Sequence, residues 1–546
     1  MSAALLLNPD LKVPSWQLKC INNIANEVGV IYIPIKQAQV CRSRSSRKLI
    51  RHIFYYLLNL KSIRQKKFPL DSVLVSSVKV RYLEYTLNQK GWAEFNSNSI
   101  EQILNDSPEY IYKCGLSLLS VPDELEKVPI ISHHHGDPSR YRGRPAGFYE
   151  ILNNETSMGQ IVQVLSNRLD AGRILAFGES KISKWSYKQT LRNSYEVSPY
   201  LLQSAIRNLR DNKSLCVDTE GKNYRLPSNA IVSRFIIRLL FEKIKRFIYG
   251  AFFEKKWNIA VSENPEGHTL DPWRLLQYIQ SEPKGDRRVL IDKKHTFYAD
   301  PFILGKNIVV EGLRASDGIG ELLELDAVQF GIAQTIRPDF AKQRHVSYPY
   351  VLGEGSETYV YPDSAEYERP FVLRRNEKRN DYFETLELAN IPVASGITDP
   401  SVFAFEGKYY MFGNLRGESS MLRLWVGDDC MFSNAIEHPL SPVRFGPKGS
   451  RSGGRIFVNH DQIFRIAQDF SYGYGDGLLL FRISRITPSD FQEDLIGKIK
   501  FDLLHGPHTF DANDKLLCWD YYCEKFSLFA GYRRLVAAAK SRIRVL

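Results

Sequence analysis

The 546-residue sequence has no run of about 18 apolar residues, the length a helix needs to cross a bilayer. Its first residues, MSAALLLNPDLK, lack the basic stretch and long apolar core of a secretory leader. Cysteine is scarce: there are seven, an odd number, and no Cys-x-x-Cys pair. That excludes a disulfide framework and a cysteine-rich zinc module, and reads as reduced thiols in a cytoplasmic protein. No RNA-binding signature accompanies the basic segments, so nucleic acid is not an expected partner. Histidine is also rare, at 11 residues, yet three stand side by side in ISHHHGDPSRYRG, residues 131–143.

The composition that is present describes a globular protein: 43% hydrophobic, 25% charged and 12% aromatic residues. The many tyrosines and phenylalanines point to a large β-rich core. The formal net charge is +12. The excess gathers in 42–67, in 234–256 and in the tail 533–546, and two of these segments read as basic amphipathic helices. Such helices serve as packed linkers or lie on anionic membrane surfaces, so a peripheral contact with the inner membrane surface is one expectation.

Up to about residue 225, strand and helix signals alternate, as in AALLLN, GVIYIPI, YIYKCG and VPIISHH with helical stretches between them. This pattern predicts an α/β domain with a doubly wound, mostly parallel sheet over 1–225. A basic amphipathic linker helix follows over 226–256, its helical core placed at 231–255. From Trp257 the periodicity changes to short aromatic strands joined by polar turns. Strand–turn–strand units begin at 297, 346, 397, 453 and 507, spaced by 49, 51, 56 and 54 residues. A period near 50 in an all-β region predicts propeller blades of about four strands, five of them over 257–530. A basic helix or tail closes the chain at 531–546.

Side chains alternate across a strand. His133 and His135 therefore share one face and His134 takes the other. His133, His135 and Asp137 would make a metal site only with a fourth ligand, and none is evident, so no metal is expected. A further pattern surrounds the triplet: Tyr141-Arg142-Gly143, then NETSMG at 154–159, then Leu169-Asp170-Ala171-Gly172. In order and spacing this resembles the catalytic segment of the folate-dependent formyltransferases, which act on glycinamide ribonucleotide, methionyl-tRNA and sugars. The resemblance implies 10-formyltetrahydrofolate as formyl donor, His134 as the proton carrier and Asp170 as its orienting carboxylate. It places Ser132 where the family has an oxyanion-binding asparagine. It also implies folate contacts at Gly115, Leu118, Leu119, Arg142 and Gly143, in and around the loop CGLSLL. The sequence around HHGD and the fused β-domain are similar to formyltransferase-like proteins of polysaccharide biosynthesis, which implies an amino sugar, nucleotide- or lipid-linked, as acceptor.

In the second half, ADPF at 299, SYPYV at 347, TDPSVF at 398, IAQDFSYGYG at 466 and HT at 508 together resemble a five-bladed propeller family. It precedes the glycosyltransferase in plant glucosamine inositolphosphorylceramide transferases and is similar to family 43 glycoside hydrolases. The resemblance implies a glycan pocket with Asp300 as a base-like carboxylate and Asp399 as its modulator. Glu311, Asp363 or Asp469 would be the acid, with Gln468 and His508 lining the pocket. Asp-Pro is also an ordinary turn device, so Asp300 and Asp399 equally read as caps of their blades. The expected function is an amino-sugar N-formyltransferase with a glycan-binding propeller. The alternatives are a propeller glycosidase carrying a non-catalytic formyltransferase-like scaffold, and a glycan-binding protein without catalysis.

Overall fold

The structure is a computed structural model that describes residues 2–37, 50–60, 65–116, 118–265, 271–285, 287–288, 293–329, 331–340, 343–354, 356–376, 379–459, 462–502 and 504–536. Much of the basic segment 42–67, Ser117 of the CGLSLL loop and the tail beyond 536 lie outside these residues. The chain divides into two compact units, 1–243 and 244–546.

In unit 1 the sheet has eight strands: β1 (Ala3–Leu6), β2 (Val28–Lys36), β3 (Lys79–Leu87), β4 (Ala93–Phe95), β5 (Ile111–Lys113), β6 (Ile130–His134), β7 (Ser157–Val164) and β8 (Arg173–Lys181). They lie in the order β8-β7-β6-β5-β1-β2-β3-β4. The five central strands, β6-β5-β1-β2-β3, are parallel. The helices Ser15–Asn23 and Ser97–Asp106 lie in crossovers between strands, and Tyr187–Arg210, which follows β8, packs on β7 and β8. β1 is buried throughout, which is why its sequence is a continuous apolar run rather than an alternating one. The sheet is mixed rather than doubly wound throughout, because β7 runs antiparallel to β6 and β8, and β4 to β3. The eight-residue link between β7 and β8 is too short for a parallel crossover.

Unit 2 is built of five successive antiparallel sheets; the third has a fifth strand, Arg444–Phe445, and the fourth and fifth join into one eight-stranded sheet through a parallel pair, Gly454↔Phe510. The first contains His295–Leu304, Asn307–Arg314, Gly320–Asp326 and Ile332–Ile336. The second runs from Ser347–Glu354 to Arg379–Glu387, the third from Ile397–Phe405 to Ile436–Glu437, and the fourth from Lys448–Asn459 to Phe491–Ile499. The fifth takes Phe510–Ala512 and Leu516–Phe526 from the end of the chain and completes them with Phe253–Glu263 and Arg287–Arg288. Eleven residue pairs, Phe253↔Phe526 through Glu263↔Leu516, bind the first strand to the last. The leading strands of the five sheets contact one another in a cycle, first against second and so on, and the fifth against the first.

The basic helix spans Asn229–Phe252, not 231–255, and a strand begins at Phe253. Pairing with Cys523–Phe526 draws Phe253–Lys256 into the sheet, and the Lys255 ammonium binds the Tyr474 carbonyl at 2.7 Å and the Tyr522 hydroxyl at 2.9 Å. Tertiary pairing overrides the local helical pattern there. Val232 and Phe235 anchor the start of this helix among Phe148, Ile151, Met158, Tyr187 and Leu191.

Candidate functional site

β6 carries the histidine triplet to the edge of the parallel region, and the strand's period of two separates the rings as expected. His133 binds the Tyr112 hydroxyl at 3.1 Å and the Ser198 carbonyl at 3.0 Å, and His135 binds the Ser198 hydroxyl at 3.0 Å. Trp16 meets both rings edge-on. Burial pushes His133 down to about 4 and, with the two neighbouring histidines, takes His135 well below its usual value. These two rings are neutral packing elements of the face under the helix Tyr187–Arg210.

His134 faces the other way and is 9% exposed. Its Nδ1 lies 3.3 Å from Asp170 Oδ1, across 36 residues of chain. Asp170 sits at a left-handed φ of 49° and accepts the Gly143 N–H at 2.8 Å on its other oxygen. The Arg142 guanidinium donates to the carbonyls of Leu169 and Thr219, both at 3.0 Å. Arg142 and Gly143, expected to contact folate, thus hold the Asp170 loop against the histidine. Gly143 is required for this: at φ 86° a Cβ would stand 2.2 Å from the Tyr224 carbonyl oxygen. Gly136 is equally constrained, since a Cβ there would lie 2.7 Å from His134 Nε2.

His134 Nε2 lies 3.1 Å from the Tyr141 carbonyl oxygen. A carbonyl only accepts, so Nε2 carries a hydrogen in this arrangement. To take a proton from an amine, the ring must exchange that carbonyl for substrate. Ser132 shares the His134 face, and its hydroxyl donates to the His133 carbonyl at 3.3 Å. In the CGLSLL loop, the Gly115 amide donates to the Leu6 carbonyl at 2.7 Å and the Leu118 carbonyl accepts from Ala93 at 2.9 Å. Leu119 is buried and bridges to Ala93. The Gly115 amide is therefore committed to internal pairing, while the Leu118 carbonyl keeps a second lone pair.

Sequence reasoning missed Lys113, at the end of β5. Burial pulls its ammonium down to about 8, against the attraction of Asp170, and Nζ donates to the Leu116 carbonyl at 3.0 Å. The signal was a lysine closing an otherwise apolar strand.

In unit 2, the leading strands of the first three sheets each carry a bulge at an X-Pro pair with a left-handed residue: Asp300 (φ 50°), Tyr348 (φ 46°) and Asp399 (φ 47°). Non-glycine residues adopt this conformation at a cost, and bulges re-aim side chains. Here they direct Asp300, Tyr348 and Asp399 into one buried cluster rather than merely capping strands. Asp300 accepts the Thr509 hydroxyl at 2.7 Å and lies 3.3 Å from His508 Nε2. His508 Nδ1 reaches Asp520 at 2.6 Å, and Trp257 packs on the His508 ring at 4.2 Å. Asp399 pairs with Arg451 at 2.6 Å and accepts from Gln468 at 3.3 Å. Glu311 lies 3.5 Å from His345 Nε2.

Burial raises the acids of this cluster: Asp300 to about 6, Asp363 to about 7, and Glu311 well up, each reinforced by neighbouring carboxylates. His508 is shifted the opposite way from what burial alone would do, because Asp520 and Asp300 favour its cation. Asp469 does not fit the role of acid. Burial would raise it, but Lys498 and the Ser471 amide, at 2.9 Å, outweigh burial and hold it ionised. Asp520, Arg451, Trp257 and Tyr474 were not singled out from the sequence.

Among the described residues, Asp300, His508 and Asp520 are the one group of metal-ligating side chains close enough to share an ion, while His133, His135 and Asp137 form no such group. The three already form an ion-pair cluster, with the His508 ring between the Asp300 and Asp520 carboxylates.

The raised acids make stability depend on pH. The folded chain holds the Asp363 proton up to about pH 7, whereas an ordinary aspartate loses it near 3.8. Folding therefore binds a proton between those values, and stability falls as pH rises through that window. Asp363→Asn removes this contribution. Its melting temperature gains on the wild type by several degrees between about pH 5 and pH 8. A difference that stays constant with pH contradicts the assignment.

Comparison with known proteins adds the following. Residues 330–504 match the family described as glucosamine inositolphosphorylceramide transferase 1, N-terminal. Glucosamine inositolphosphorylceramide transferase 1 of Oryza sativa subsp. japonica is 25% identical over 156 residues, 27% of this chain and 20% of that protein. The chain thus spans about a fifth of the length of the curated relatives it matches. Among solved structures, an N-formyltransferase from Helicobacter canadensis covers 59% of this chain and 98% of its own, with 11% identity and a TM-score of 0.27. A family 117 glycoside hydrolase from Zobellia galactanivorans covers 41% of this chain and 83% of its own, with 11% identity and a TM-score of 0.30.

Proposed function

We propose that the chain is a carbohydrate-modifying transferase with two modules. The first, ending near residue 225, passes the formyl group of 10-formyltetrahydrofolate to the amine of a sugar. In the second, the five sheets close as the blades of a propeller whose carboxylate-lined centre holds a glycan, with the helix 229–252 as linker.

The observation that carries the first part is the pairing of His134 with Asp170 at 3.3 Å. An imidazole backed by a carboxylate at a strand end fits the proton transfer that an attacking amine requires. The folate supplies an activated formyl carbon. The chain's own residues handle the proton and the developing charge. Asp170 holds Nδ1, and the N–H of Gly143 holds Asp170. With its hydrogen on Nδ1, facing Asp170, the ring turns a bare Nε2 away from the Tyr141 carbonyl, takes the proton the amine releases as the new C–N bond forms, and delivers it to the folate nitrogen as that nitrogen's bond to the formyl carbon breaks. Ser132 offers one hydroxyl donor on the same face of β6. Pterin contacts rest on backbone groups around the 114–119 loop other than the Gly115 amide, which is paired with the Leu6 carbonyl. The match of 330–504 to the N-terminal part of a glucosamine-named transferase supports an amino sugar as the ligand class.

The test is incubation with a labelled formyl donor and a panel of nucleotide- and lipid-linked amino sugars. Label entering a sugar amide supports the reading, and no labelled amide with any amine contradicts it.

A second reading rests on the raised acids of unit 2. Glu311, whose carboxyl is raised by burial and by the charges of Asp300, Asp363 and Asp399, has the environment of a glycosidase acid. Hydrolysis of aryl glycosides by the full chain, lost on Asp300→Asn, would favour it. Unchanged hydrolysis in that variant, or none in the wild type, would dismiss it.

A further inference from the structure

The helix Asn229–Phe252 is buried only at its start, through Val232 and Phe235. Beyond that point Ile237, Leu240, Phe241, Ile244, Phe247 and Ile248 recur at helical spacing, so they share one face, and all are exposed, Phe247 by 74%. Within unit 2 this face continues into the last described segment, where Phe526, Leu528, Phe529, Tyr532 and Leu535 are also exposed, Phe529 by 65% and Leu535 by 73%. The two pieces are tied together. The Ser527 amide donates to the Phe252 carbonyl at 2.7 Å, the rings of Phe252 and Phe526 stack at 6.0 Å, and Arg534 donates to the carbonyls of Tyr249, Gly250 and Phe253.

Isolated exposed apolar residues are ordinary, but a continuous patch of this size on a soluble surface marks a contact. Its charge indicates the partner. Helix 229–252 carries Arg234, Arg238, Lys243, Lys245 and Arg246 against the single acid Glu242; at the end of the described chain Lys525 follows Glu524, Arg533 pairs with Glu254 and Arg534 holds the helix-end carbonyls, so the cationic border is that of the helix. On the helical wheel Lys243 lies on one side of the apolar face and Arg238 and Lys245 on the other. An apolar face bordered by cations is complementary to acyl chains beneath anionic headgroups. A second copy of the same face would bring like charges together. No described helix is long and apolar enough to cross a membrane.

We infer that Ile244–Phe252 and Phe526–Leu535 form a membrane-surface face. It lies in the plane of an anionic bilayer, with the phenylalanines at the acyl boundary and the Lys and Arg heads among the phosphates.

Sedimentation of the full chain with phosphatidylcholine vesicles, with and without phosphatidylglycerol, tests this. The chain should bind the anionic vesicles selectively and release them as salt shortens the screening length. The double substitution Phe247→Glu, Phe529→Glu should weaken binding roughly tenfold or more. Both sites are exposed, so its melting temperature should stay at the wild-type value. Three results would overturn the inference: no binding to either vesicle, equal binding to both, or a dimer in solution that the same substitutions convert to monomer without any vesicle binding. The last would assign the face to a second copy.

Discussion

If the chain transfers formyl groups as proposed, replacing His134 with alanine should lower kcat/KM for that transfer by about 10²–10⁴-fold, the range attributed to a positioned general acid–base group. The His134 ring presents its Nδ1 to the Asp170 carboxylate at 3.3 Å. His133 and His135 cannot substitute, because they face the opposite side of β6 and burial keeps them neutral. Folate binding, read by titration with a non-transferable formyl folate, should stay close to wild type, since the loss falls on the chemical step. Asp170→Asn should fall in the same range. The amide still accepts the Gly143 N–H but no longer presents a carboxylate to Nδ1. Steady-state kinetics of the three proteins with one acceptor sugar check both statements, and a His134→Ala enzyme with full activity would remove His134 from the mechanism.

Ser132→Asn should raise the transfer rate by up to about 10²–10³-fold, the usual cost of one missing oxyanion donor. The serine hydroxyl is short and already donates to the His133 carbonyl at 3.3 Å. An asparagine amide on the same strand face reaches further and carries two N–H groups. Ser132 pairs with Gln163 of β7 and is only partly buried, which leaves room for the larger side chain. The gain should appear in kcat, with little change in KM for folate. A fall in activity at unchanged stability would show that the serine is itself the adapted residue.

The resemblance and the period of a strand were enough to single out His134 from its neighbours and to pair it with Asp170. The hydrogen bond from Nε2 to Tyr141 was not legible, because it depends on the turn that follows Gly136, where Asp137 accepts the Ser139 amide at 2.9 Å. The five strand–turn–strand units of the second half each fall on the leading strands of a sheet. The completion of the fifth sheet by Phe253–Glu263 left no local trace, since its partner lies more than 250 residues away. Asp300 and Asp399 stood out through their prolines, yet only the bulges show why they point inward. Asp520 was hidden inside the apolar run CWDYYC. Asp469 misled because Lys498, which holds it ionised, arrives from another strand.

The most direct measurement follows the labelled formyl group itself. With 10-formyltetrahydrofolate and an amino sugar, the account predicts label in the sugar amide, in equal molar yield with the tetrahydrofolate formed, and loss of both products in His134→Ala. Label recovered as free formate, or retained in the donor whatever amine is supplied, would contradict transfer to a sugar as the function of this chain.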